Sequence, residues 1–128
     1  MVNKKILALL GGLALIAAET ISVSAEAQEF RVRCERRGAR RSRVSVNGNN
    51  LPAGTYSIVV TSGANSAGAT ETIVAPADEF EADFDSNRAD ILAGATPIAR
   101  TFIQNGKVSV EVTGPENLSA TDVACRIR

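Results

Sequence analysis

The chain has 128 residues with 14 basic and 14 acidic side chains, so its formal net charge is zero and no partner is selected by overall charge. It contains no histidine and no tryptophan. Histidine is the usual proton shuttle near neutral pH and the most common metal ligand, so its absence disfavours most hydrolytic and zinc chemistry.

The first part of the chain has the pattern of an export signal. Two lysines precede an apolar run over residues 6–18, and Val23-Ser24-Ala25 then places small residues where a signal peptidase needs them. This pattern predicts a signal peptide over residues 1–25 and one mature domain over residues 26–128. Ala25-Glu26-Ala27 offers a second cleavage position, which would begin the mature chain at Gln28.

The apolar run is too short to cross a membrane, because a spanning helix needs about 20 apolar residues. We therefore expect no membrane span after cleavage and a periplasmic or extracellular location. Such a compartment is oxidising and permits disulfides.

The mature chain alternates apolar and polar residues with a period of two, as in Phe30, Val32 and Cys34 against Arg31 and Arg33. This alternation is typical of half-buried strands, and many short strands separated by turn residues predict a sandwich. We expect an all-β antiparallel sandwich of about seven or eight strands, with a Greek-key order. The predicted strands cover residues 30–34, 43–46, 55–61, 70–75, 79–85, 101–104, 108–112 and 121–127, with a small-residue loop over 63–68.

Two connections carry their own signals. Asn105-Gly106 predicts a tight type I′ hairpin between the strand containing Phe102 and the strand containing Val108. We predict one short helical turn near residues 87–93. Ser86 or Asn87 can cap its start, and Gly94 follows its end.

The segment Leu51-Pro52-Ala53-Gly54-Thr55-Tyr56 resembles the tyrosine corner of immunoglobulin and fibronectin type III sandwiches. In that device the phenol donates a hydrogen bond to the backbone upstream. The resemblance implies the architecture of those domains and assigns no specific family.

Cys34 and Cys125 lie near opposite ends of the mature chain, on the inward side of their predicted strands. They predict a buried disulfide that joins the first and last strands. A redox-active pair is the alternative, but it normally has the close spacing of a CxxC motif.

Seven arginines lie between residues 31 and 43, where the only acid is Glu35. Gly38 and Ala39 lie inside this cluster, so we expect a loop between two strands whose guanidinium groups bind phosphate or sulfate. The candidate anion-binding residues are Arg36, Arg37, Arg40 and Arg41. The alternative is a solvated loop that pairs with acids elsewhere in the chain.

The chemistry of these arginines suggests three kinds of partner: an anionic glycan, a lipid headgroup or an acidic protein surface. Nucleic acid is disfavoured, because export removes the usual target and no aromatic residue lies inside the cluster to stack on a base. Self-association is a further expectation.

Acidic side chains are concentrated in the segment from Asp78 to Asp90, which contains a single basic residue, Arg88. If Phe80, Ala82 and Phe84 face the core, acids line the opposite face of that strand at intervals of about 6.8 Å. The acids on that face are Glu79, Glu81, Asp83 and Asp85.

This row of acids needs a counter-charge, which has three candidate sources. The arginine loop of the same chain is one, and the arginine loop of a second copy in head-to-tail association is another. The third is calcium, with the candidate ligands Asp83, Asp85, Asn87 and Asp90, whose spacing resembles the opening of an EF-hand loop. Arg88 and Gly94 replace the glycine and the closing glutamate of that loop. We therefore expect a looser calcium site, or else helix capping by Asn87 and Asp90.

Catalysis is the least favoured function. Asp83 and Asp85 could act as acid and base, and Tyr56 could donate a proton, but carboxylates two residues apart on a strand are commonly ionised and structural. The sequence thus predicts a small exported binding or assembly module that is not an enzyme. A calcium-stabilised structural domain is the alternative.

Overall fold

The computed structural model describes residues 28–128, which form nine strands and one short helix. The strands are β1 (Glu29–Arg37), β2 (Arg41–Asn49), β3 (Gly54–Ser62), β4 (Asn65–Ile73), β5 (Phe80–Asp85), β6 (Thr96–Pro97), β7 (Lys107–Thr113), β8 (Leu118–Ala124) and β9 (Arg126–Ile127). The helix α1 (Arg88–Leu92) follows β5. The predicted signal peptide lies outside the described residues.

The strands form two sheets with the orders β9-β1-β2-β5-β6 and β4-β3-β7-β8. The fold is the all-β sandwich that the alternating pattern predicts, and its sheets do not close into a barrel. Most pairs are antiparallel, whereas the two-residue strands β9 and β6 each pair in parallel with a neighbour. In residues 28–128 no helix is long and apolar enough to cross a membrane.

The core lies between the sheets and is built from the inward positions of each strand. Sheet one contributes Val44, Val46 and Phe84, none of which is measurably exposed. Sheet two contributes Ile58 and Val60, and the three inward valines of β7 complete the layer: Val108, Val110 and Val112. Burial of each such side chain stabilises the fold by roughly 1.5–3 kcal/mol. The apolar residues at alternate positions of the strands therefore provide most of the core.

Tyr56 lies at the start of β3, where the chain passes from the first sheet to the second. Its side chain is fully buried, and its hydroxyl donates a 2.7 Å hydrogen bond to the carbonyl of Pro52. Its ring lies 5.7 Å from that of Phe80, a residue of the opposite sheet. The hydrogen bond to the upstream backbone is the one predicted from the sequence, and it fixes the entry of β3.

The two cysteines form a disulfide, with an S–S distance of 2.08 Å and Cα atoms 4.7 Å apart. Cys34 is buried in β1, but Cys125 is only half-buried. Cys125 lies between β8 and β9, at the point where the chain leaves the second sheet and joins the first. The single strand predicted over 121–127 is therefore two strands in different sheets, with Cys125 at the crossing.

The strand predicted over 101–104 is wrong. Consecutive residues Phe102 and Ile103 are both buried, which an alternating strand on a sheet surface does not allow. Side chains of the sheets bind the backbone of this segment instead: the Ser42 hydroxyl accepts from the Ile103 N–H at 3.2 Å, and Asn65 donates to the Phe102 carbonyl at 2.8 Å. The segment thus fills one end of the sandwich.

The loop predicted over 63–68 is also wrong in extent. Ser62 pairs with Asn65 across a tight turn, and β4 already begins at Asn65. The small residues that suggested a loop lie instead on an edge strand, where short side chains are tolerated.

The predicted helical turn is present, but of the predicted hairpin only the turn at Asn105-Gly106 is, because residues 101–104 form no strand. Asn105 and Gly106 adopt positive φ angles of 57° and 67°, although the preceding residue makes only an isolated bridge to Lys107. The helical turn predicted near 87–93 is α1, in which the Asn87 side chain accepts a hydrogen bond from the Ala89 N–H at 2.9 Å.

We predict that replacing both cysteines, as Cys34→Ser with Cys125→Ser, lowers stability by about 3 kcal/mol, because the bond closes a span of 91 residues and removes chain entropy from the unfolded state. The melting temperature should fall by more than about 10 °C. Calorimetry of the oxidised protein and of the double variant measures this difference. Thiol titration of denatured, unreduced protein should find no free thiol, and two free thiols would contradict the bond.

Candidate functional site

The arginine-rich segment forms the hairpin β1–β2, with residues 38–40 as its turn. Gly38 has a φ angle of +49°, which a residue with a side chain rarely adopts. Arg37 and Arg41 form the last cross-strand pair before the turn. The predicted loop is therefore short, and most of its arginines belong to the strands.

Arg41 is bound inside the molecule. Its guanidinium donates two hydrogen bonds to Asp85, at 2.9 and 2.6 Å, and a third to Asp90 at 2.9 Å. The side chain of Asp85 is only 3% exposed, so this fork joins β2, β5 and α1 at a nearly dry position. The Nε atom of Arg43 lies 4.0 Å from Asp85.

Burial by itself would raise the pKa of Asp85, but hydrogen bonds from Arg41 and from the Asn87 N–H outweigh it, and the pKa lies below its usual value. Asp85 therefore stays ionised in the folded protein at neutral pH. Its carboxylate was predicted on an open face, and the structure corrects this: the carboxylate is covered by Arg41.

Two further predicted anion ligands also have internal partners. Arg36 donates to the carbonyls of Gly38 and Ile103, and Arg37 lies 3.3 Å from the Glu35 carboxylate. Glu35 also binds Arg128 at 2.8 Å. Burial opposes the ionisation of Glu35, but Arg37 and Arg128 lower its pKa below the usual value. Of the four candidates, Arg40 alone makes no ion pair or side-chain hydrogen bond with any described residue.

The four candidate calcium ligands are used differently from one another. Asp85 and Asp90 share Arg41, and the side-chain oxygen of Asn87 caps α1. Within residues 28–128, no three carboxylate, thiol or imidazole side chains are grouped so as to hold a metal ion. For Asp85 and Asp90 the counter-charge is therefore the first of the three sources, an arginine of the same chain; in residues 28–128 Glu81 and Asp83 make no ion pair within 4.0 Å.

A different set of arginines remains open to solvent. Arg31 and Arg33 lie on the outer face of β1, and Arg126 lies on β9 beside Glu35 in the pairing register. All three are exposed, and in the described part of the chain no carboxylate oxygen lies within 4.0 Å of them. We call these three residues the outer arginine row.

The outer arginine row borders two shallow clefts on the outer face of the first sheet. One, of about 440 Å³, is lined by three arginines and two acids together with Ser45: Arg33, Arg43, Arg126, Glu35 and Glu81. The other, of about 500 Å³, is lined by two arginines, two asparagines and two acids: Arg31, Arg33, Asn47, Asn49, Glu29 and Glu79. Guanidinium, amide and hydroxyl donors thus share this surface with carboxylates at its borders.

The parity of β1 contained the signal for this row, since Arg31 and Arg33 alternate with inward residues Val32 and Cys34. The dense arginine cluster over residues 36–41 instead led to a prediction of anion binding at the turn. Arg126 could not be placed from sequence, because its position depends on the crossing at Cys125.

A third cleft, of about 270 Å³, lies towards the opposite edge of the same sheet and is acidic. It is lined by Arg43 and by five carboxylates: Glu71, Glu81, Asp83, Asp85 and Asp90. Glu71 belongs to β4 and has the inward parity of Ile73, so its carboxylate is partly covered. Burial, and next the charge of Asp83, raise the pKa of Glu71.

The side chains considered for catalysis are placed unfavourably for it. Tyr56 is enclosed in the sandwich with its hydroxyl bound to the Pro52 carbonyl, and burial, followed by the charge of Glu116, raises its pKa. Asp85 is held by Arg41.

Comparison with known proteins gives no family to draw on: no protein-family model, curated protein or solved structure matches this chain.

We predict that Asp85→Asn lowers the free energy of unfolding by about 2 kcal/mol at pH 7, because Arg41 loses its ionised partner in a poorly hydrated position. The folded-state pKa of Asp85 is depressed, so its contribution is present above the ordinary aspartate pKa and is lost as the pH falls through the folded value. Urea unfolding at several pH values measures this. Asp83→Asn is the matched control and should change stability little; equal losses in both variants would contradict the assignment.

Glu71→Gln should have the opposite sign. Because the folded-state pKa of Glu71 is raised, its ionised form destabilises the fold at neutral pH, and this penalty vanishes as the pH falls below the ordinary glutamate pKa. We expect the melting temperature to rise by about 2–3 °C at pH 7 and to be unchanged in acid. Glu111→Gln, on the exposed face of β7, is the control and should show no such pH-dependent gain.

Proposed function

We propose that this protein is an exported, non-catalytic binding module that holds an anionic partner on the outer face of its five-stranded sheet. The observation that carries the proposal is the outer arginine row: Arg31, Arg33 and Arg126 are exposed on one face without a carboxylate partner. This row replaces the Arg36–Arg41 turn as the contact surface, because most of the turn arginines bind groups within the molecule.

The geometry of the row suits an extended anion. Arg31 and Arg33 are two residues apart on one strand, so their side chains leave the sheet about 6.8 Å apart on the same face. Each guanidinium can bind a carboxylate, sulfate or phosphate group through two parallel hydrogen bonds. Ser45 and Asn47 lie beside Arg33 and Arg31 in the register and add uncharged hydrogen-bonding groups.

Anionic glycans, lipid headgroups and acidic protein surfaces share this chemistry. Nucleic acid suits the surface less well, because the only aromatic residue of the hairpin, Phe30, packs against the core and is not available to stack on a base. Secretion is supported by the signal-like segment over residues 1–25 and by the disulfide, which persists in oxidising compartments such as the periplasm or the extracellular space.

For the architecture we propose a Greek-key sandwich of the immunoglobulin and fibronectin type III kind. Strands β1, β2 and β5 lie in one sheet, and β3, β7 and β8 lie in the other, as in the two layers of those domains. The Tyr56 hydrogen bond to the upstream backbone supports the resemblance, although here the tyrosine begins β3.

The test is retention on heparin-agarose in a rising salt gradient. The triple variant Arg31→Gln, Arg33→Gln, Arg126→Gln should elute at clearly lower salt and bind on the order of tenfold more weakly, because charge-assisted hydrogen bonds are lost. Retention of the wild type should itself weaken steeply with salt.

The matched control removes the same charge from other exposed positions, as Arg88→Gln, Arg100→Gln, Lys107→Gln. It should elute close to the wild type. If both triple variants elute together, only net charge matters and the proposed surface is wrong.

A further inference from the structure

The outer face of the first sheet carries both signs of charge in an ordered arrangement. The strand register places Arg31 beside Asn47 and Asn47 beside Glu81, and it places Arg33 beside Ser45 and Ser45 beside Asp83. In each of these two cross-strand rows, the side chain from β1 is positively charged, the one from β2 is uncharged and the one from β5 is negatively charged.

These charges are not neutralised within the molecule. The arginines and the acids of a row are separated by β2, a span of about 9.6 Å between backbones. In residues 28–128 no ion pair within 4.0 Å joins Arg31 or Arg33 to Glu81 or Asp83. Over these two rows the face therefore carries positive charge on β1 and negative charge on β5, separated by the uncharged residues Asn47 and Ser45 of β2. Beyond the two rows the pattern ends, at Glu29 and Glu35 on β1 and at Arg43 on β2.

Such a face is complementary to itself. A two-fold axis that runs along β2, in the plane between two stacked faces, places β1 of one copy over β5 of the other. Arg31 then faces the partner's Glu81, and Arg33 faces the partner's Asp83; the same contacts recur on the other side of the axis. This is an isologous contact, in which one patch serves both copies.

We propose that the anionic partner of Arg31 and Arg33, two members of the outer arginine row, is a second copy of this chain, bound face to face about that axis. The inference rests on the proposed function, since it names the partner of the same arginines. A glycan or a lipid headgroup would satisfy Arg31 and Arg33 but would supply no cation for Glu81 and Asp83. A second copy supplies both signs at the same spacing.

The next row limits the contact. Glu35 already binds Arg37 and Arg128, and Asp85 already binds Arg41, so this end of the sheet offers no free acid. Arg43 lies on β2 at the axis, so it faces the partner's Arg43 and opposes the contact, while its Nε atom lies 4.0 Å from Asp85 of its own chain. The association therefore depends on the two rows of Arg31 and Arg33, and because exposed ion pairs are individually weak, the dimer is reversible and sensitive to salt.

Sedimentation equilibrium of the purified, disulfide-bonded protein tests this at about 20 mM and about 500 mM salt. We expect a monomer–dimer equilibrium at low salt that shifts to monomer at high salt. Arg33→Glu and Asp83→Arg should each weaken the dimer on the order of tenfold or more, because each change replaces two attractions by two repulsions.

Mixing these two variants in equal amounts should restore the dimer. The reversed residue at position 33 of one chain then faces the reversed residue at position 83 of the other, and the second contact is the original Arg33–Asp83 pair. Arg31→Glu with Glu81→Arg provides an independent pair if either first variant folds poorly. Arg88→Glu, a reversal outside the face, should leave the dimer unchanged.

The results separate this inference from the proposed function. A monomer at every concentration in low salt, a dimer unaffected by Arg33→Glu, or a failure of the mixed variants to associate overturns the face-to-face dimer. If the arginine triple variant still loses heparin retention in that case, the anion-binding proposal stands alone. If retention is also unchanged, both are wrong.

Discussion

The hydrogen-bonded ion pair between Arg41 and Asp85 determines how charge is distributed over this protein. Asp85 is almost fully buried, and a buried carboxylate without a counter-ion would be strongly destabilising. Arg41 provides the counter-ion through two hydrogen bonds and reaches Asp90 with a third, so one side chain connects a hairpin, the next strand of the sheet and the short helix. The two charged segments of the sequence meet at this point.

This pairing divides the arginines into two groups by position along the hairpin. Near the turn, Arg36, Arg37 and Arg41 contact acids or carbonyl groups of the same molecule. In the body of β1, Arg31 and Arg33 lie beside the short neutral side chains of β2, and in residues 28–128 neither makes an ion pair within 4.0 Å. The proposed binding surface follows from this difference in neighbours, rather than from the density of arginine in the sequence.

Much of the fold could be predicted because it depends on short-range patterns. The odd-even alternation located the strands, the Asn105-Gly106 pair located a turn, and Tyr56 made the hydrogen bond expected of its spacing from Pro52. Those features depend on backbone conformations that a few neighbouring residues decide.

The errors arose where distant residues decide the structure. Residues 101–104 are held by Ser42, Ser62 and Asn65, which lie some 40 to 60 positions away in sequence, and no local pattern reports such contacts. In the same way, the burial of Asp85 depends on Arg41, which lies 44 positions earlier. The outer arginine row was harder to predict than the fold, because it consists of arginines that remain without an ion pair after all such pairs have formed.

The crossing of the chain at Cys125 has a consequence for that row. β9 has only two residues and pairs with a single neighbour, so hydrogen bonding alone holds it weakly to the first sheet. The adjacent disulfide anchors it, and β9 carries Arg126. Arg126 is thus held between two attachments to β1: the Cys34–Cys125 disulfide before it, and after it the bonds of Arg128 to the Glu35 carboxylate and to the Arg36 carbonyl.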